Sequence, residues 1–116
     1  MDDQGLAAVE AGMRFARMRA TVLADDLANA RTPGFVARDA APALPAGETH
    51  GPDSGAGGAP TFGAVLREIS ARGVAGVVEY AMGAQARNAV VYRTLADEEH
   101  AMLRELRTVA EEARRS

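Results

Sequence analysis

The sequence contains no cysteine and no tryptophan, and all 13 of its basic residues are arginine. The absence of cysteine excludes disulfide scaffolds, thiolate zinc sites and cysteine nucleophiles, and the absence of lysine excludes Schiff-base chemistry. Aromatic residues make up only 4% of the 116 residues, which disfavours a base-stacking surface. Because the formal charge is −3 and no basic run is present, we expect no nucleic-acid binding.

Long hydrophobic runs are also missing from the chain. No stretch approaches the roughly 18–20 apolar residues that a membrane span needs. The first residues, Met1-Asp2-Asp3-Gln4, have neither a basic region nor an apolar core, so we expect no cleaved secretion signal. Alanine is abundant instead, with 26 residues, and the length corresponds to one domain.

Helical periodicity dominates both ends of the chain. Apolar residues recur there at alternating spacings of three and four, which predicts helices over 3–31 and about 77–113. We expect an all-α hairpin of two long helices, antiparallel and coiled-coil-like, with an N-terminal part (1–31) and a C-terminal part (77–116). The residues predicted to pack the helices are Leu6, Val9, Met13, Ala16, Ala20, Asn88, Tyr92, Leu95, Met102, Leu106 and Val109.

The segment 32–76 joins the two helices. Pro33 and Gly34 suit the central positions of a type II turn, because glycine accepts the positive φ of the second position. The Pro/Gly-rich stretch 39–60 has a single leucine as its only large apolar residue, which predicts a flexible loop. The spacing of the apolar residues that follow predicts a short helix at about 61–72.

Residues able to carry catalysis do not form a recognisable pattern. His50 and His100 have no second histidine at metal-ligand spacing. The adjacent carboxylates of Asp25 and Asp26 would diverge on a helix, which predicts a solvated pair and not an acid–base site. We therefore expect no catalytic residue, no metal, no cofactor and no small-molecule substrate, and hence no enzyme.

The apolar stripes of the two predicted helices, here called seams, are rich in alanine and bury little area. A lone hairpin of this kind should therefore be marginally stable in water. The missing stabilisation would come from other copies or other chains. This reasoning favours a subunit of an assembly that gains helix on association.

The end of the first predicted helix carries the most specific pattern. The stretch 23–35 resembles the N-terminal motif of bacterial flagellar axial proteins, Leu-Ala-Asn-Asn-Ile-Ala-Asn-Ala-x-Thr-Pro-Gly-Tyr. Asp25 and Asp26 stand where that motif has asparagines. The positions that carry the resemblance are Leu23, Ala24, Leu27, Ala28, Asn29, Ala30, Thr32, Pro33, Gly34 and Phe35.

The continuation at 37–39 and the C-terminal helix are similar to FlgB-type proximal-rod proteins, although an Asn-x-Val-Asp-like stretch usual in that family is missing before the helix. The resemblance implies a structural subunit of the basal-body rod in the periplasm, exported by the flagellar type III apparatus. Its implied partners are other rod subunits, the rod–ring adaptor and the MS ring, with self-association. The alternative from the residues alone is a self-contained helical interaction module or coiled-coil adaptor in the cytoplasm.

Overall fold

The computed structural model describes residues 3–43 and 64–115, which form two long helices and a small antiparallel sheet. The elements in chain order are α1 (Asp3–Asn29), β1 (Arg38–Pro42), β2 (Ala64–Glu68) and α2 (Gly73–Arg115). The fold is mostly helical and the two helices pack together, but the sheet shows that the all-α expectation is incomplete. The part of the predicted loop that covers 44–60 lies outside the described residues.

The chain leaves α1 through a tight turn. The backbone N–H of Thr32 donates to the carbonyl of Asn29 at 2.9 Å, and that of Phe35 donates to the carbonyl of Thr32 at 3.1 Å. Gly34 has a φ of +80°, the value that the second central position of a type II turn requires. The turn redirects the chain so that β1 runs back over α1.

Two segments differ from the sequence-based expectation. Residues 64–68 form β2, so the short helix predicted over about 61–72 is wrong in its described part, and residues 61–63 lie outside it. Residues 39–42, predicted as flexible loop, belong to β1. The physical reason is shared: an isolated short helix is marginal in water, whereas β1 and β2 satisfy each other's backbone groups from the pair Arg38–Glu68 to Pro42–Ala64.

The start of α2 precedes the predicted start by four residues, at Gly73 instead of residue 77. Gly73 has a φ of +71°, and Gly76 lies within the first helical turn. Glycine weakens a helix mainly through the conformational entropy that it loses in the interior, so two glycines in the opening turn do not prevent the helix.

The helices pack in opposite directions along an alanine-rich contact. Gly12 of α1 faces Leu95, and a Cβ at Gly12 would lie 3.1 Å from Cδ1 of Leu95. Further along α1, Ala20 faces Gln85. The body is elongated, 66 × 34 × 15 Å. The buried apolar residues in the described part of the chain are Val9, Ala11, Met13, Ala16, Leu23, Ala37, Ala40, Ala81 and Ala84.

Replacing Gly34 tests the turn. Gly34→Val should lower the free energy of unfolding by about 1–2 kcal/mol, because a β-branched residue is strained at positive φ. Apart from its two chain neighbours, no heavy atom of the described residues lies within 4 Å of a Cβ built at this position, so the cost comes from the backbone. The control is Gly34→Asn, since asparagine tolerates this conformation better. Urea unfolding, followed by circular dichroism in an osmolyte that keeps the folded baseline, gives the free energy of unfolding of both variants. Equal stability of the two variants would contradict the turn.

Candidate assembly interface

Asp39 of β1 connects both helices to the sheet. Nε and Nη2 of Arg19, on α1, donate to Oδ1 and Oδ2 of Asp39, each at 2.8 Å. The hydroxyl of Tyr80, on α2, donates to Oδ2 at 2.6 Å, and the N–H of Ala40 donates to Oδ1 at 2.7 Å. The buried carboxylate thus receives donors from three elements, the arrangement in which charge-assisted hydrogen bonds are strongest.

Hydrogen bonds within this cluster shift the pKa values of Asp39 and Tyr80. Burial pushes the pKa of Asp39 upward, but hydrogen bonds from Arg19 and Tyr80 outweigh burial and hold the pKa below its ordinary value. Hydrogen bonding to the same carboxylate raises the pKa of Tyr80. Asp39 therefore stabilises the fold above the ordinary aspartate pKa, and this contribution is lost as the pH falls through the folded-state value.

Two side-chain amides of α2 set the register between the helices. Nδ2 of Asn88 donates to the carbonyl of Ala16 at 2.8 Å, and Nε2 of Gln85 donates to the carbonyl of Ala20 at 3.0 Å. The amides reach the α1 backbone because alanine side chains leave it accessible. A shift of one helix along the other would break both bonds, so these polar residues in an apolar seam specify one alignment.

A shallow apolar groove lies beside this contact. Nη1 of Arg17 donates to the hydroxyl of Tyr92 at 3.1 Å, and its guanidinium carbon lies 5.8 Å from the ring centroid, within range of a cation–π interaction. The groove has a volume of about 270 Å³, and alanines at 16, 20 and 89 form much of its lining. It exists because small side chains fill this part of the seam incompletely.

The motif residues are divided between the core and the surface. Leu23 is fully buried, and Leu27, Asn29, Ala30 and Phe35 are half-buried. The exposed members are Ala24, Ala28, Thr32, Pro33 and Gly34. The motif therefore supplies one core residue, the end of α1 and an exposed turn.

Side chains at the end of α1 brace this turn. Nδ2 of Asn29 donates to Oδ1 of Asp25 at 2.9 Å and to the carbonyl of the same residue at 3.0 Å. The hydroxyl of Thr32 then donates to Oδ1 of Asn29 at 3.3 Å. Asp25 thus has a structural partner, although it remains exposed.

Asp26 departs from the solvated pair expected from the sequence. Its side chain is buried, with 1% of the residue exposed, because the returning chain covers it. Oδ1 accepts the backbone N–H of Arg38 at 3.0 Å, while Oδ2 has no hydrogen-bond partner within 3–43 and 64–115. Desolvation raises the pKa of Asp26, opposed by the bond from Arg38 and reinforced by the charges of Asp25 and Asp39.

The residues expected to pack the helices lie along the α1–α2 contact for most of its length. Val9, Met13, Ala16 and Asn88 are buried, and Leu6, Ala20, Tyr92, Leu95, Met102 and Leu106 are half-buried. Val109 is 56% exposed, because α1 does not extend far enough to cover it.

Sequence reasoning missed the roles of Arg19, Asp39 and Tyr80, and the burial of Asp26. The partners of Asp39 are 20 and 41 residues away along the chain, so no local spacing indicates the cluster. The burial of Asp26 depends on the path of β1. Its only signal in the sequence is an acidic residue three positions from the seam residue Leu23, and that is too weak to predict burial.

No protein-family model, curated protein or solved structure with which the chain was compared matches it. Within 3–43 and 64–115, no three histidine, cysteine or acidic side chains gather as metal ligands would. Neither helix in these ranges is long and apolar enough to cross a membrane.

Removing the charge of Asp26 should stabilise the chain. Because its pKa is raised on folding, the folded state binds the proton more tightly, so the carboxylate lowers stability at pH values above its folded-state pKa. Asp26→Asn keeps an acceptor for Arg38 and carries no charge, so we expect a gain of about 1 kcal/mol at pH 7. The gain should disappear below the ordinary aspartate value of 3.8, where both states are protonated.

Urea titrations across this pH range measure the effect. Asp25→Asn, at the exposed neighbouring position, is the matched control and should show no comparable gain. A loss of stability in Asp26→Asn at pH 7 would contradict the account of this carboxylate.

Proposed function

We propose that this chain is a structural subunit of the bacterial flagellar basal-body rod, in its proximal part, and that it assembles through its two terminal helices. The proposal rests on the resemblance of residues 23–35 to the axial-protein motif. The observation that supports it most is the conformation of this segment. The motif ends α1, turns at Gly34 and delivers β1 to the position where Asp39 joins both helices.

Exposed apolar residues support a role in assembly. Nine large apolar side chains among the described residues are exposed: Val36, Val65, Leu66, Val74, Met82, Val90, Val91, Leu103 and Val109. They lie on the connection after α1, on β2 and along α2. This distribution suits a subunit that meets several neighbours in a helical array.

The coiled-coil-like contact gives the subunit a defined shape. The helices meet along apolar residues at alternating three- and four-residue spacing. They are held in one alignment by the side-chain amide bonds to the α1 backbone and by the Asp39 cluster. In the proposed function this rigid pair is the building element of the drive shaft. The partners are other rod subunits, the rod–ring adaptor and the MS ring, and the chain reaches the periplasmic rod by flagellar type III export.

Mass spectrometry of detergent-extracted hook–basal bodies, from cells that express the chain, tests the proposal. We expect the chain at a stoichiometry typical of rod proteins, and its loss in cells that carry Gly34→Val, because the turn sets the direction of β1. A strain that carries Gly34→Asn is the control. Intact basal bodies that lack the chain, together with a discrete cytoplasmic oligomer, would refute the rod and favour the helical adaptor.

A further inference from the structure

An apolar cleft lies next to Asp26, between the last turns of α1 and the chain that returns over them. We name it the Asp26 cleft; its lining includes Thr21, Val22, Asp25, Asp26, Phe35, Val36 and Leu66, and its volume is about 290 Å³. Val36 is 44% and Leu66 is 53% exposed. Arg38 lines the same cleft, so its lining carries two aspartates and one arginine.

The unpaired oxygen of Asp26 indicates what the cleft lacks. Oδ2 of this buried carboxylate has no donor among the residues that the structure describes, and an unsatisfied buried charge is costly. An arginine on an apolar surface would supply the missing donor, and its aliphatic stem would cover the exposed apolar rim.

The far end of α2 carries such a surface. Gly12 faces Leu95, and the two helices run in opposite directions. Asp3, the first residue of α1, is nine residues before Gly12, so it lies opposite Arg104, which is nine residues after Leu95. The following residues, 105–115, are here called the α2 tail. They extend about 16 Å further, and all of them except the half-buried Leu106 are exposed.

Charges on the α2 tail are partly separated by side. At 100° per residue, Leu106, Val109 and Ala110 form an apolar stripe. Arg107 and Arg114 lie on one flank of the stripe, with Glu111 40° beyond Arg107, and Glu105 lies on the other flank. Neither arginine has an ion pair in the part of the chain that the structure describes.

We propose that the α2 tail of one copy of this chain occupies the Asp26 cleft of the next copy. Arg107 and Arg114 face Asp25 and Asp26, and Val109 covers the apolar rim. Arg107 pairs with Asp25 at the surface and, once the exposed rim side chains shift, with the free oxygen of Asp26. The contact joins two different surfaces, so it repeats from copy to copy instead of closing as a symmetric dimer.

A chain's own tail cannot make this contact. Ala20 faces Gln85, so Asp26 lies opposite about residue 79 of α2. Arg107 is 28 residues further along the same helix, a distance of about 42 Å. The occupant therefore comes from another molecule, and a second copy offers the required arginines and apolar stripe.

Engineered cysteines test the contact cleanly, because the chain has no cysteine of its own. Val36→Cys and Val109→Cys are made in separate full-length chains, both at exposed positions, and the two are mixed and oxidised. We expect the mixed disulfide to form faster than either symmetric one. In the control, Val91→Cys, which is exposed on α2 outside the tail, replaces Val109→Cys. Its mixed disulfide with Val36→Cys should form more slowly than that of Val109→Cys.

Sedimentation velocity of charge variants tests the ion pairs. Arg107→Gln with Arg114→Gln should weaken self-association at least about tenfold, the effect of some 1.4 kcal/mol. Arg93→Gln with Arg104→Gln removes the same charge elsewhere and should change it little. Faster symmetric disulfides, the absence of any mixed product, or equal effects of the two arginine pairs would overturn the proposal.

The inference deepens the proposed function and rests on it for its biological setting, but the two fail separately. If the mixed disulfide forms but the chain is absent from basal bodies, the proposed rod function is refuted and the contact between the α2 tail and the Asp26 cleft is retained. A chain that is present in the rod but forms no mixed disulfide would refute the contact alone.

Discussion

The hydrogen-bonded ion pair between Arg19 and Asp39, with the hydroxyl of Tyr80 on the same carboxylate, is the interaction on which the rest of this structure depends. It is where α1, β1 and α2 meet through charged groups and not through apolar area. A core built largely from alanine buries little surface, so the hydrophobic effect alone fixes this arrangement weakly. The cluster compensates by specific geometry, because the carboxylate has donors from all three elements.

The same shortage of large core residues explains how the helices meet and why the surface remains available. Small side chains let Gln85 and Asn88 reach the backbone of α1, which fixes the register. The α2 tail lies beyond the end of α1, and Asp26 keeps one oxygen without a donor in the described part of the chain. In the proposed assembly, these incomplete features of the single chain are the surfaces that neighbouring subunits complete.

The helices could be predicted from the sequence because their periodicity is long and local, and the turn because Pro33-Gly34 restricts the backbone strongly. The strands could not, since β1 reads Arg-Asp-Ala-Ala-Pro and β2 has apolar residues at a spacing that also suits a helix. The Asp39 cluster was beyond local reasoning for a different reason. It depends on residues that only the completed fold brings together, and the burial of Asp26 follows from the same return of the chain.

A double-mutant cycle with Arg19→Gln and Asp39→Asn tests most directly whether this cluster holds the three elements together. Free energies of unfolding of the four chains, from urea titrations at pH 7, give the coupling between the two side chains. The account predicts a coupling of at least about 2 kcal/mol, because Arg19→Gln leaves the buried Asp39 without its charged partner and Asp39→Asn leaves the half-buried Arg19 without one. Most of this loss should therefore appear in either single variant. Additive effects, with a coupling below about 0.5 kcal/mol, would contradict it.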